Sequence, residues 1–102
     1  MILFKHSEHL QEFLLKKSKQ AITIGFVPTM GALHQGHLSL IRRSKKENTL
    51  TVCSIYVNPT QFNDPKDLEK YPRPIEKDIE LLMSADCDVL FLPSTEENKL
   101  LR

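Results

Sequence analysis

An α/β protein, with a parallel sheet flanked by helices, is the fold class that this 102-residue sequence predicts. Two observations carry that expectation. Short apolar, β-branched runs alternate with stretches of helical periodicity, the pattern of successive strand–helix crossovers. The two clearest runs, Ile22 to Val27 and Leu50 to Val57, are apolar nearly throughout, as strands covered on both faces must be. A third observation says where to look for function. The first run leads into a segment with Gly31, His34, Gly36 and His37 and the second into a long connection with three prolines, and parallel sheets bind ligands beyond the carboxyl ends of their strands.

The elements follow in order. Ile2-Leu3-Phe4 predicts a short edge strand. Ser7 suits an N-cap, with Glu8 in the first turn of a helix over about residues 8–19. Leu10, Phe13 and Leu14 share one face of that helix, and Lys16, Lys17 and Lys19 crowd its far end. The strand from Ile22 is stopped at Pro28, and Thr29, Met30, Gly31 and Ala32 carry the chain over its end. A second helix is expected over 36–46, with Leu33, His37, Leu40 and Ile41 on one face. Arg42, Arg43, Lys45 and Lys46 lie near its C-terminus, where positive charge complements the helix dipole. Asn58-Pro59 ends the next strand. Residues 58–73 then form a long polar connection containing Pro59, Pro65 and Pro72, a length that is often functional. Within it Gln61, Phe62 and Tyr71 suit either a pocket wall or a pin to the core. Pro74 suits a first helical position. Ile75, Ile79, Leu82 and Met83 predict a helix to about Ala85, and Asp88 to Leu92 a further strand that Pro93 stops.

Composition excludes several classes. The apolar fraction is 40% and the charged fraction 26%, ordinary for a globular chain. Fourteen basic against thirteen acidic side chains give a net charge of +1, which calls for neither nucleic acid nor an anionic membrane. Cys53 and Cys87 lie in or beside apolar runs and are expected as buried, reduced thiols; a disulfide would need an oxidising compartment. The N-terminus lacks the pattern of a signal peptide, and no apolar run reaches membrane-spanning length. A cytoplasmic location is the expectation.

The chemistry concentrates in residues 22–41, where a strand hands over to a helix that opens on His34-x-Gly36-His37. A helix N-terminus presents backbone N–H groups and the positive end of the dipole, so it attracts phosphate. Gly36 has no Cβ, which allows a ligand close to the backbone. His34 and His37, three residues apart, can both donate ring N–H groups to phosphate oxygens. Thr29 and the amides of Met30 and Gly31 are further candidate donors. Such contacts suit a transition state in which charge grows on an α-phosphate and its leaving pyrophosphate. The bland readings compete. On spacing alone the pair has about even odds of being structural. Zinc would need a third ligand that the sequence does not place, so no metal set is assigned. His6 and His9 repeat the spacing on a surface helix, which shows how cheaply it arises. GxGxxG, P-loop and GxSxG patterns are absent.

Three blocks nevertheless point to a family. Pro28-Thr29-Met30-Gly31-Ala32-Leu33-His34-Gln35-Gly36-His37-Leu38 resembles the signature of the pantoate–β-alanine ligase (pantothenate synthetase) family. Ser54-Ile55-Tyr56-Val57-Asn58-Pro59-Thr60-Gln61-Phe62 resembles its second signature, and Asp67-Leu68-Glu69-Lys70-Tyr71-Pro72-Arg73 its third. The likeness runs from the N-terminus to about Ser94, and three ordered blocks are far more specific than HxGH alone.

The resemblance implies a Rossmann-like nucleotidyltransferase (HxGH) fold. It implies that ATP and pantoate give pantoyl adenylate and pyrophosphate, after which β-alanine displaces AMP; Mg2+ would accompany the ATP. Carried over by position, Met30, Gly31, Ala32, Leu33, His34, Gln35, Gly36 and His37 would contact ATP. His34 and His37 would stabilise the phosphates, with His37 the residue usually assigned as proton donor. Gln61 would hold pantoate and face β-alanine, while Pro28, Thr29, Met30 and Tyr71 wall the site. A histidine bonded to phosphate can also act chiefly through electrostatics. A homodimer is implied as well.

The departures are specific. Family members are longer. They carry a second nucleotide-binding stretch with Lys, Asp and Gln, a Ser-Ser-Arg segment that grips ATP, and a C-terminal domain over the site. After Ser94 the chain leaves the family pattern. Residues 1–102 are therefore expected as a truncated N-terminal nucleotide-binding domain, an incomplete half-sheet that does not turn over alone. The alternatives are another HxGH nucleotidyltransferase, which the Asn58-Pro59-Thr60-Gln61-Phe62 block argues against, and a non-catalytic binding or dimerisation module.

Overall fold

The structure, a computed structural model, describes residues 1–56 and 75–93. In chain order these form β1 (Ile2–Phe4), α1 (Ser7–Ser18), β2 (Ile24–Thr29), α2 (Gln35–Glu47), β3 (Leu50–Ile55), α3 (Ile75–Ser84) and β4 (Val89–Phe91). The strands make one sheet in the order β1-β4-β3-β2, and every pairing is parallel. The short first strand lies at an edge, as expected. The path β1 to β2 crosses the sheet in one direction, whereas β2 to β3 to β4 returns in the other. Right-handed crossovers then require α1 on one face and α2 with α3 on the opposite face.

The core divides accordingly. On the α2/α3 face, Leu38 and Ile41 of α2 and Leu82 of α3 meet Val27, Cys53, Ile55 and Leu90 of the sheet. On the other face Leu10 meets Val52 and Val89, with Phe4, Phe13 and Leu14 packed around them. Phe4 and Phe13 bring their rings to 5.2 Å between centroids. Cys53 and Cys87 are both buried and free, as the sequence predicts.

Three expectations shift. The cap of α1 is His6, without a side-chain hydrogen bond, and Ser7 is the first helical residue. Leu40 and Met83 are 55% and 57% exposed, because the buried stripes run instead through Leu38, Ile41 and Ser44 on α2 and through Asp78 and Leu82 on α3. Pro28 does not stop β2, which continues through it to Thr29. The reason is register. Leu50 donates to the Thr23 carbonyl at 3.0 Å and Tyr56 to the Thr29 carbonyl at 2.9 Å, so alternate residues from Thr23 to Thr29 turn their backbone toward β3. Pro28 lies between two of them and directs its missing N–H to the outer edge, where no ladder bond is lost. Among the described residues no strand pairs with that edge.

Candidate active site

β2 and β3 run in register from Ile24↔Leu50 to Thr29↔Ile55, so they end side by side. The turn out of β2 and the start of α2 therefore sit over the end of β3. Beyond the two strand ends is an open cavity of about 360 Å³, lined by Pro28, Thr29, Met30, His37, Ser54 and Tyr56. Four of these residues were expected on sequence grounds. Ser54 and Tyr56 were not singled out, although both fall within the quoted second block. Alternation explains them: Ile55 points into the core and its neighbours point the other way. Gln61 and Tyr71 lie outside the described residues.

The turn is held by its own groups. Thr29 Oγ1 donates to the Ser54 carbonyl at 2.9 Å and accepts the Gly31 N–H at 3.2 Å. Thr29 is thus buried and stitches the end of β2 to β3. Gly31 has φ 88°, where a side chain would be strained, and Ala32 follows at φ 53°. The amides of Ala32 and Leu33 donate to Oδ2 and Oδ1 of Asp78 on α3, at 3.2 and 3.0 Å. Sequence reading missed Asp78. Its available signal was an acidic residue at i+3 from Ile75 and i−4 from Leu82, on the apolar stripe of a helix.

The two histidines close the helix end on each other. His34 Nδ1 accepts the Gly36 N–H at 3.0 Å, and His37 Nδ1 accepts the His34 N–H at 3.1 Å. This is a reciprocal capping box built from imidazoles. Their ring centroids are 4.1 Å apart. A nitrogen that accepts an N–H carries no proton, so each ring places its N–H on Nε2. Gly36 also gains a second reason. A Cβ there would stand 2.8 Å from His34 Cε1 and 3.0 Å from Nδ1, so the glycine makes room for the capping ring.

The expected supply of unpaired amides is therefore reduced. Gly31, His34 and Gly36 spend their N–H within the turn, and Ala32 and Leu33 spend theirs on Asp78 of α3. The ring donors are then the Nε2–H groups, at the positive end of α2. Beneath the turn, Cys53 is inert: burial, then the neighbouring Cys87, push its thiol up to about 12.

A single parallel sheet between helices, whose second helix opens on a histidine-capped turn, matches the Rossmann-like nucleotidyltransferase class. Comparison with known sequences narrows it, since a family model described as pantoate-beta-alanine ligase matches residues 2–99. The chain belongs to the pantoate–β-alanine ligase family. It is 48% identical over 97 residues to the pantothenate synthetase of Cytophaga hutchinsonii, covering 95% of this chain and 34% of that protein. It is 50% identical over 93 residues to the pantothenate synthetase of Francisella tularensis subsp. tularensis, covering 91% and 34%. The crystal structure of the Francisella tularensis pantoate-beta-alanine ligase, complexed with beta-gamma ATP and beta-alanine, superposes with a TM-score of 0.73 at 46% identity, over 95% of this chain and 37% of that one. The Thermus thermophilus pantothenate synthetase gives 0.68 at 40% identity, over 95% and 33%. The chain thus spans about a third of the length of these relatives.

Proposed function

We propose that this chain supplies the histidine-bearing wall of an ATP-dependent pantoate–β-alanine ligase site. In that reaction the pantoate carboxylate attacks the α-phosphate of ATP, giving pantoyl adenylate and pyrophosphate. The β-alanine amine then displaces AMP to give pantothenate. The observation that carries the reading is the convergence of His37 with Pro28, Thr29, Met30, Ser54 and Tyr56 on one cavity beyond the strand ends. The Francisella relative's complex with beta-gamma ATP and beta-alanine supports two of the substrates.

The chain's own contribution follows from its geometry. His34 and His37 donate through Nε2–H to phosphate oxygens, where charge grows as pyrophosphate leaves. Met30 and Tyr56 give the open cavity apolar surface. Gln61 holds pantoate and faces β-alanine, and Tyr71 adds to the wall. Both roles are carried by the family resemblance. Among the described residues no group of three or more His, Cys, Asp or Glu side chains converges as a metal site. Mg2+ enters with ATP as part of the substrate, and no step is assigned to a protein-held ion. No helix among the described residues is long and apolar enough to cross a membrane. The reading includes a homodimer in the cytoplasm, acting on small molecules.

Calorimetric titration of the 102-residue chain with ATP and Mg2+, and separately with pantoate, tests it. His34→Ala is expected to weaken ATP binding by about tenfold or more, and Gln61→Ala to weaken pantoate binding similarly. A folded chain that binds neither ligand, and sediments as an intact dimer, would instead be a dimerisation module.

A further inference from the structure

Asp78 belongs to α3, in the crossover after β3, yet its carboxylate reaches the turn before α2. Its side chain is fully buried, and its two oxygens accept two consecutive amides, those of Ala32 and Leu33. Gly31 and Ala32 both have positive φ, at 88° and 53°. Successive N–H groups that converge in a turn form a concavity of the kind that binds anions. Here the anion filling that concavity is the protein's own.

We infer that Asp78 is a positioning residue that fixes the histidine turn and transfers phosphate recognition from backbone amides to the two imidazoles. The carboxylate holds Ala32 in its left-handed conformation. That conformation sets the path of Leu33 into the core and of His34 onto its cap. His34 in turn donates its N–H to His37, so one buried carboxylate governs the setting of both rings. Asparagine cannot replace it, because its NH2 would face an amide N–H. The consequence for phosphate rests on the ligase reading above; the clamp itself does not.

Nuclear magnetic resonance on the labelled 102-residue chain tests both. In Asp78→Asn, amide exchange at Ala32 and Leu33 is expected to quicken about tenfold beyond any change at Val52 and Leu90 in the sheet. The ring 15N signals of His34 and His37 should lose the pure Nε2–H pattern, and ATP affinity should fall about tenfold. An equal change at turn and sheet, or unmoved ring signals, would show that Asp78 serves stability alone and overturn the proposal. If Asp78→Asn does not fold, Ala32→Gly decides. With Asp78 intact, Leu33 should stay protected within about threefold of the parent. Loss of that protection would mean that Ala32, not the carboxylate, holds the turn. Should the parent chain bind no ATP, the ligase reading fails, while exchange rates and ring signals still judge the clamp.

Discussion

His34 has two nitrogens and the backbone claims one of them. Nδ1 caps Gly36, which leaves Nε2–H as the ring's donor. The side chain therefore serves stability and binding through different atoms, and substitution can separate the two. Asparagine is among the best N-caps, whereas alanine cannot cap. His34→Asn is expected to keep stability within about 0.5 kcal/mol of the parent, and His34→Ala to lose about 1 kcal/mol. Both should lose ATP affinity, because neither side chain carries the imidazole Nε2–H. Urea unfolding and calorimetry on the two variants check this, and an asparagine variant as unstable as the alanine one would refute the capping role. The spacing of His34 and His37 was legible in the sequence, and the structure sets both rings at the start of α2. Which ring nitrogen remains the donor was not legible, since that depends on a backbone amide two or three residues away adopting the right direction.

Elements pack here through small residues as much as through large ones. Gly25 on β2 lies under α2, and a Cβ there would stand 2.0 Å from Ser44 Oγ and 2.7 Å from Asn48 Nδ2. Ser44 Oγ is itself engaged with Thr51 Oγ1 at 2.7 Å, and Asn48 Nδ2 donates to the Ser44 carbonyl at 3.2 Å. Neither can move freely. Gly25→Ala is therefore expected to cost about 1–3 kcal/mol as an overpacked contact. That corresponds to a fall of roughly 4–8 °C in Tm per kcal/mol for a chain of this size. Adding Ser44→Ala removes the clashing oxygen and should recover part of the loss. Thermal melts of the single and double variants test the idea, which fails if Gly25→Ala melts with the parent. The alternation of strands and helices was readable because apolar periodicity is local. The close approach of α2 to β2, the passage of β2 through Pro28 and the reach of Asp78 to Ala32 are tertiary. Each joins positions that share no local pattern, so periodicity assigned Leu40 and Met83 to the core and passed over Asp78.

At the scale of the whole molecule, two thiols report on the integrity of the core. Cys53 is 0% and Cys87 4% exposed, one in β3 and the other just before β4, both within the cluster between the sheet and α2 and α3. Burial is the first cause that raises each thiol, and for Cys53 the value moves from 9.0 to about 12. The direction fixes a pH dependence. Below the unfolded value both folded and unfolded chains keep the proton, and the fold has its full stability. Above it the unfolded chain ionises while the folded one stays protonated, so ionisation favours unfolding. Stability should fall as pH rises through the window from 9.0 toward about 12, by at most about 1.4 kcal/mol per pH unit for Cys53. Lysine and tyrosine titrate in the same range, so the Cys53→Ala variant is the reference. Urea unfolding at about pH 8 and about pH 10.5 should show a parent loss that exceeds the variant's by about 2 kcal/mol. The variant begins less stable through its small cavity, but its slope is what matters. Equal slopes would mean that water reaches Cys53 in the folded chain, and that the sheet and the two helices do not enclose it as tightly as the packing around Val27, Ile55 and Leu90 requires.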